Sequence, residues 1–97
     1  MKLRQEHIER IRNFFRNKPV LKAYLFGSFG RGEADDNSDI DILVELDYSK
    51  KIGLEFVQMQ LDLKELLQHK VDLLSEKALS KYIRPLIDND KQLIYEK

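Results

Sequence analysis

Apolar residues recur along this chain with two different spacings, and each spacing predicts one kind of secondary structure. Apolar residues three or four positions apart, with charged residues between them, predict long helices over residues 2–17 and 53–68. Short apolar runs bounded by polar or turn-forming residues predict strands. These runs occupy residues 21–26, 40–46, 70–74 and, as a short closing strand, 92–95.

Turn-forming residues predict how these elements are connected. Residues 29–33 are expected to form one helical turn and residues 34–37 a polar turn, so the second strand returns tightly and pairs antiparallel with the first. The alternation of helices and strands predicts an α/β (α+β) fold with a three- or four-stranded mixed sheet. Residues 1–97 are expected to form a single domain, since this length leaves little room for a second module.

The two later helices differ in their sequence signals. The second long helix has a wide apolar face, formed by Leu54, Val57 and Leu61 with a flank of Phe56, Leu63, Leu66 and Leu67. A last helix is expected to run to about Asn89, capped by Ser75 or Ser80, with Pro85 in or near its first turns.

Two carboxylates open the second strand. In a β-strand residues two apart point to the same face, so Asp39 and Asp41 are expected to project together while Ile40 and Ile42 face the core. Carboxylate oxygens are the ligands that Mg²⁺ prefers, and two such cations about 3.5 to 4 Å apart fit beside a pair with this spacing. The spacing therefore predicts a magnesium site.

A glycine-rich turn follows the first strand, ahead of these carboxylates. Gly27, Gly30 and Gly32 let the backbone approach a ligand and turn its N–H groups outward, and the Ser28 hydroxyl adds a donor. Such a turn suits a triphosphate. The phosphate and metal sites are therefore expected to be neighbours.

These residues carry a family resemblance. Gly27-Ser28, a ten-residue gap and Asp39-Ile40-Asp41 resemble the signature of the polymerase-β-like nucleotidyltransferases. The fuller pattern, with Arg31-Gly32 and with Ser38 ahead of Asp39, is similar to their minimal branch, whose members are about the length of this chain. Minimal members are often encoded beside a HEPN-domain partner, and the pair is described as a toxin–antitoxin system.

The resemblance implies a third acidic residue on a neighbouring strand, and Asp72 matches that position. It further implies two Mg²⁺ ions, one held by all three carboxylates and the other by Asp39, Asp41 and the triphosphate. The candidate catalytic and metal-binding residues are Asp39, Asp41 and Asp72, and the candidate nucleotide-binding residues are Gly27, Ser28, Arg31 and Ser38.

Some polar residues near this site have a second interpretation. Arg31 either touches phosphate or pairs with Asp35 or Asp36. Ser38 is better suited to fix the turn before the strand, by hydrogen-bonding the backbone, than to touch substrate. His69, at a helix end, is not expected to bind metal.

The implied reaction is in-line attack of an acceptor hydroxyl on the α-phosphate of a nucleoside triphosphate, with release of pyrophosphate. Asp72 is the candidate proton acceptor. By resemblance, the enzyme transfers AMP from ATP to a tyrosine of a HEPN-type ribonuclease toxin and acts as its antitoxin. The nucleobase and the oligomeric state, homo- or hetero-oligomer, stay open.

Composition limits the other functions. The 17 basic and 17 acidic residues give no net charge, which argues against direct nucleic-acid binding. The chain has no cysteine, and no apolar run approaches the length of a membrane span. A cytoplasmic protein without membrane contact is therefore expected.

Two alternatives remain beside the antitoxin enzyme. The protein could block its partner by covering the partner's active site without catalysis, since its apolar helix faces suit a protein interface. It could also transfer the nucleotide to a small molecule, although relatives with that activity usually carry an additional acceptor domain that this chain lacks.

Overall fold

The computed structural model describes residues 5–32 and 37–97. In these residues helices and strands alternate along the chain. The elements, in chain order, are α1 (Gln5–Phe15), β1 (Val20–Phe26), α2 (Gly27–Arg31), β2 (Ile40–Leu46), α3 (Glu55–Leu67), β3 (Val71–Ser75), a 3₁₀ turn (Glu76–Ala78), α4 (Arg84–Asp90) and β4 (Gln92–Glu96). The four strands lie within one residue of the sequence prediction at either end.

The four strands form one mixed sheet in the order β3-β2-β1-β4. β1 pairs antiparallel with both β2 and β4, which confirms the predicted tight return between the first two strands. β2 and β3 are parallel, so the chain must cross over between them, and α3 makes that crossover.

The main core lies on one face of this sheet. β2 contributes Ile40, Ile42 and Val44, all completely buried. α1 and α3 cover this face, and Phe15 and Met59 are among the helix residues that pack onto it. Alternation along β2 therefore leaves its other face for different side chains.

The prediction for the apolar face of α3 was partly wrong. The helix packs through Met59, Leu63 and Leu67, whereas Val57 and Leu61 are 55% and 53% exposed. Leu54, directly before the helix, is 84% exposed. With 3.6 residues per turn, these three exposed residues lie on the far side of α3 from Met59.

The predicted cap of the last helix was also wrong. α4 begins at Arg84, with Pro85 in its first turn as expected, and no side chain within residues 5–32 and 37–97 caps it. Ser75 ends β3, and the Ser80 hydroxyl accepts a 3.2 Å hydrogen bond from the Ile83 amide in the turn before α4. Ser80 therefore stabilises the approach to the helix and not the helix itself.

Two other predictions fall partly outside the described residues. These are the start of the first helix and most of the turn over 34–37. The short helix after β1 is present but begins at Gly27, two residues earlier than expected.

The second face of the sheet has a smaller apolar cluster. Phe26 and Leu43 pack there with Ile87 of α4, and Tyr24 and Leu79 lie against them. α4 therefore covers only part of this face.

Candidate active site

Asp41 lies on the thinly covered face of the sheet. Its neighbours Ile40 and Ile42 point into the main core, so the alternation of the strand directs the half-buried Asp41 to the opposite side. Asp39 lies one residue ahead of β2, and its side chain is 36% exposed. Both carboxylates are thus accessible to a ligand.

Asp72 is the register partner of Asp41 in the parallel β2–β3 pair. Paired residues of adjacent strands project to the same face, and Val71 and Leu73 on either side of Asp72 are buried in the main core. The exposed Asp72 therefore lies beside Asp41. Its role in catalysis stays a prediction.

The donor set fits a hard divalent cation in its chemistry, since it consists of carboxylate oxygens. Within residues 5–32 and 37–97, however, no three His, Cys, Asp or Glu side chains are grouped closely enough to hold one metal ion together. Asp39 and Asp41 share the loop end of β2. The three candidate carboxylates would therefore have to come closer together to form a three-carboxylate site.

Gly27 brings the glycine turn against Asp41. Its φ of +66° lies in the left-handed region, and a Cβ on this residue would collide with the Asp41 Oδ2 atom. Phe26, one residue earlier, is the register partner of Asp41 across β1 and β2. The predicted phosphate-binding turn, with the half-buried Ser28, is therefore adjacent to a predicted metal ligand.

α4 and β4 hold α2 in place through contacts with Gly30. A Cβ on Gly30 would come within 2.9 Å of the Asp90 carbonyl oxygen, so only glycine permits this approach to α4. Gln92 of β4 donates a 2.8 Å hydrogen bond from Nε2 to the Gly30 carbonyl. Arg31 ends the helix, and its predicted side-chain contacts lie outside what the structure describes.

Two residues ahead of β3, which sequence reasoning passed over as site residues, hold the Asp39 segment. His69 Nε2 donates a 2.5 Å hydrogen bond to the Ser38 carbonyl. The Lys70 carbonyl accepts a 2.9 Å hydrogen bond from the Ile40 amide, and its ammonium lies 3.7 Å from Asp39 Oδ2. The only sequence signal for this arrangement is a basic pair directly before β3.

Tyr24 lies on the same face but is unsuited to be a base. Its hydroxyl donates a 3.1 Å hydrogen bond to Glu45 Oε2. Burial and the Glu45 carboxylate raise the pKa of Tyr24 to about 12. The phenol therefore keeps its proton at neutral pH.

A family model described as a nucleotidyltransferase domain matches residues 8–94. The chain belongs to this nucleotidyltransferase family. The matched region contains the glycine turn and all three candidate carboxylates. The resemblance seen in the sequence is thereby confirmed, and the enzyme is a nucleotidyltransferase.

Several relatives of this nucleotidyltransferase carry the name protein adenylyltransferase. Several proteins of Methanocaldococcus jannaschii are so named provisionally, among them MJ1379 and MJ0128. MJ1379 is 34% identical over 94 residues, or 94% of this chain and 92% of its own length. MJ0128 is 43% identical over 77 residues, which is 78% of this chain and 76% of its own length. The protein adenylyltransferase MntA of Thermococcus cleftensis is 39% identical over 60 residues, or 62% of this chain and 60% of its own.

Solved structures confirm the fold of this nucleotidyltransferase. A chain provisionally described as a minimal nucleotidyltransferase superposes with a TM-score of 0.78 at 27% identity, covering 91% of this chain and 89% of the other. A chain of a toxin–antitoxin complex with AMP-PNP has a TM-score of 0.78 at 23% identity, and the match covers 93% of this chain and 73% of the other. A chain of the complex between a tri-AMPylated HEPN toxin of Shewanella oneidensis and an MNT antitoxin has a TM-score of 0.74 at 20% identity. The match covers 98% of this chain and 74% of the other.

The prediction of a metal cofactor is supported only in general terms. Enzymes of this fold generally use divalent metal ions, whereas two ions and their identity as Mg²⁺ stay predictions. No helix in the described part of the chain has the length and apolar content needed to cross a membrane.

Proposed function

We propose that this nucleotidyltransferase transfers AMP from ATP to a tyrosine hydroxyl of a HEPN-type ribonuclease toxin, with Mg²⁺ as cofactor, and so acts as an antitoxin. The names of the relatives support protein adenylylation, and two structures of the same fold are toxin–antitoxin complexes. The observation that carries the proposal is the close approach of Gly27 to Asp41, because the candidate phosphate-binding turn then lies beside a candidate metal ligand.

The residues of the turn would hold the triphosphate. Backbone N–H groups from Gly27 onward and the Ser28 hydroxyl are donors for phosphate oxygens. Asp39 and Asp41 would hold Mg²⁺, with Asp72 as the third carboxylate. Bound there, Mg²⁺ would supply charge stabilisation for the phosphoryl oxygens and lower the pKa of the acceptor hydroxyl.

The chemistry follows from this orientation. The tyrosine oxygen forms a bond to the α-phosphorus, and the bond from that phosphorus to the bridging oxygen breaks, releasing pyrophosphate. The hydroxyl proton goes to Asp72, whose exposed side chain is accessible to an acceptor protein. Catalysis would then consist mainly of positioning and charge stabilisation.

Labelled ATP tests this proposal directly. The protein is incubated with Mg²⁺ and the HEPN protein encoded beside it, and the label is located by mass spectrometry. We expect label on a tyrosine of the partner, with at least about a hundredfold less transfer for Asp39→Asn or Asp41→Asn, since each loses a charged metal ligand. Asp72→Asn should also be slow.

Asp62→Asn is the matched control. Asp62 lies on α3 and accepts a 2.8 Å hydrogen bond from Gln58, which an asparagine oxygen can also accept. This variant should label the partner at the wild-type rate. Equal labelling by Asp39→Asn, Asp41→Asn and Asp62→Asn would remove the proposed enzyme mechanism.

One observation favours a second candidate, a non-catalytic antitoxin that binds its partner. Leu54, directly before α3, forms an exposed apolar stripe with Val57 and Leu61 of the helix, and such stripes suit protein contacts. If Asp39→Asn and Asp41→Asn still inhibit the ribonuclease fully, and Leu61→Gln does not, binding would replace catalysis as the proposed function.

A further inference from the structure

His69 lies where the chain passes from α3 to the strand that carries Asp72. α3 ends at Leu67, and Gln68 adopts the left-handed conformation with a φ of 51°. Its amide donates to the Lys64 carbonyl, which turns the chain sharply out of the helix. The half-buried His69 side chain is thereby directed toward the segments that precede β2.

The His69 ring contacts two separate parts of the site. Its Nε2 donates to the carbonyl of Ser38, the residue before Asp39. Its ring also meets Phe29 of α2 edge-on, with 6.3 Å between the ring centroids. One side chain therefore joins the glycine-turn helix to the segment carrying the first carboxylate.

The residues that follow His69 continue this connection. The Ile40 amide donates to the Lys70 carbonyl, which begins the β2–β3 ladder. Two residues later Asp72 is in register with Asp41. Backbone bonds thus hold β2 to β3 along the strands, whereas Ser38 lies ahead of β2, where the ladder has not yet begun.

We propose that His69 is a positioning residue for the metal and nucleotide site. Its hydrogen bond fixes the Ser38 peptide, and hence the backbone of Asp39, relative to the paired Asp41 and Asp72. Such a site tolerates displacements of only about 0.5 Å, and losing an outer hydrogen bond typically weakens metal binding or activity by tenfold or more. The link to adenylyl transfer rests on the whole proposed function, whereas the effect on metal binding rests only on the carboxylate site within it.

Three variants separate this role from simple packing. His69→Ala removes the donor and the ring, His69→Phe keeps a ring against Phe29 without the donor, and His69→Gln keeps an N–H donor. The control is His7→Ala, which removes the other histidine of the chain; His7 lies on α1, away from β3 in the sequence. Thermal unfolding checks that each variant is folded.

Two readouts are measured on the full chain. The first is Mn²⁺ binding without nucleotide, followed by electron paramagnetic resonance. The second is kcat and KM for ATP in adenylyl transfer to the HEPN protein. We expect His69→Ala and His69→Phe to bind Mn²⁺ about tenfold more weakly and to lose more in kcat than in KM, while His69→Gln recovers most of both.

Several outcomes would overturn the inference. His69→Ala and His69→Phe could retain wild-type Mn²⁺ affinity while only the midpoint of thermal unfolding falls, which would indicate a packing role. His69→Gln could also be as impaired as His69→Phe, which would exclude the hydrogen bond as the cause. If His69→Ala does not fold, the comparison of His69→Phe with His69→Gln shows whether the hydrogen bond is the cause. A partner that is never labelled, with Mn²⁺ binding changed as expected, would count against the proposed function alone.

Discussion

The two faces of the sheet differ in how they are covered. On one face Ile40, Ile42 and Val44 are completely buried beneath α1 and α3. On the other face α4 covers the small cluster around Phe26, Leu43 and Ile87, while Asp41 stays half-buried and Asp72 exposed. β2 therefore supplies the core with alternate residues and the candidate site with Asp41 between them.

This difference follows from the cost of burying charge. A carboxylate removed from water without a partner is strongly destabilising, so a site of several acids needs a face that helices do not cover. A small domain has one main core, which the α1 and α3 face supplies. The main core and the candidate site therefore lie on opposite faces of the same strands.

The largest expected effect is on the covered face. Ile42→Ala should lower the free energy of unfolding by about 4 kcal/mol, because the cavity would lie between sheet and helices that cannot readily close it. The adjacent Leu43→Ala should lower it by about 2 kcal/mol, because its cluster is small and α4 is short. Urea unfolding measures both, and an equal or larger loss for Leu43→Ala would contradict the contrast between the faces.

Gly27→Ala should affect mainly activity. The new Cβ would displace the Asp41 carboxylate, so we expect at least about a tenfold loss in kcat/KM for adenylyl transfer. Gly53→Ala is a matched control, since Gly53 also has a positive φ of 45° but a Cβ there would contact no described residue within 4 Å. Both variants should lose about 1 kcal/mol of stability from backbone strain. Equal activities would show that Gly27 does not shape the site.

Tyr24→Phe tests the polar part of the second face. At pH 7 the loss of the hydrogen bond to Glu45 should cost about 1 kcal/mol, while the Lys91 ammonium 4.5 Å from the ring centroid keeps its contact. Because the pKa of Tyr24 is raised from 10.0 to about 12, this stabilisation is complete below pH 10 and is lost as the pH rises toward 12. Urea unfolding between pH 7 and 11 should show the two proteins converging. A difference in the free energy of unfolding that stays constant from pH 7 to 11 would contradict this prediction.

The smallest effect is expected at the far side of α3. Leu61→Gln should change stability by less than about 0.5 kcal/mol, because Leu61 is already 53% exposed. Leu63→Gln, two residues away and fully buried, should lose about 3 kcal/mol or more. Thermal unfolding of both variants checks which side of α3 faces the sheet.

Local patterns in the sequence determined much of this protein. The apolar run 40–46 has the same bounds as β2, and the spacing of Asp39 and Asp41 indicated a shared carboxylate site at its start. These predictions depend on periodicity and turn chemistry within a few residues, which are properties of the chain itself. The glycine turn followed by the two acids also indicated the family.

The tertiary structure alone decided which of these segments meet. The register that sets Asp72 beside Asp41 arises from parallel strands joined through a crossover helix, and no local pattern specifies it. α3 has apolar residues on both sides, so only packing against the sheet selected Met59 and Leu63 over Val57 and Leu61. The contact of His69 with Ser38 likewise depends on how two distant segments pack, because residues 31 positions apart are brought together only by the complete fold.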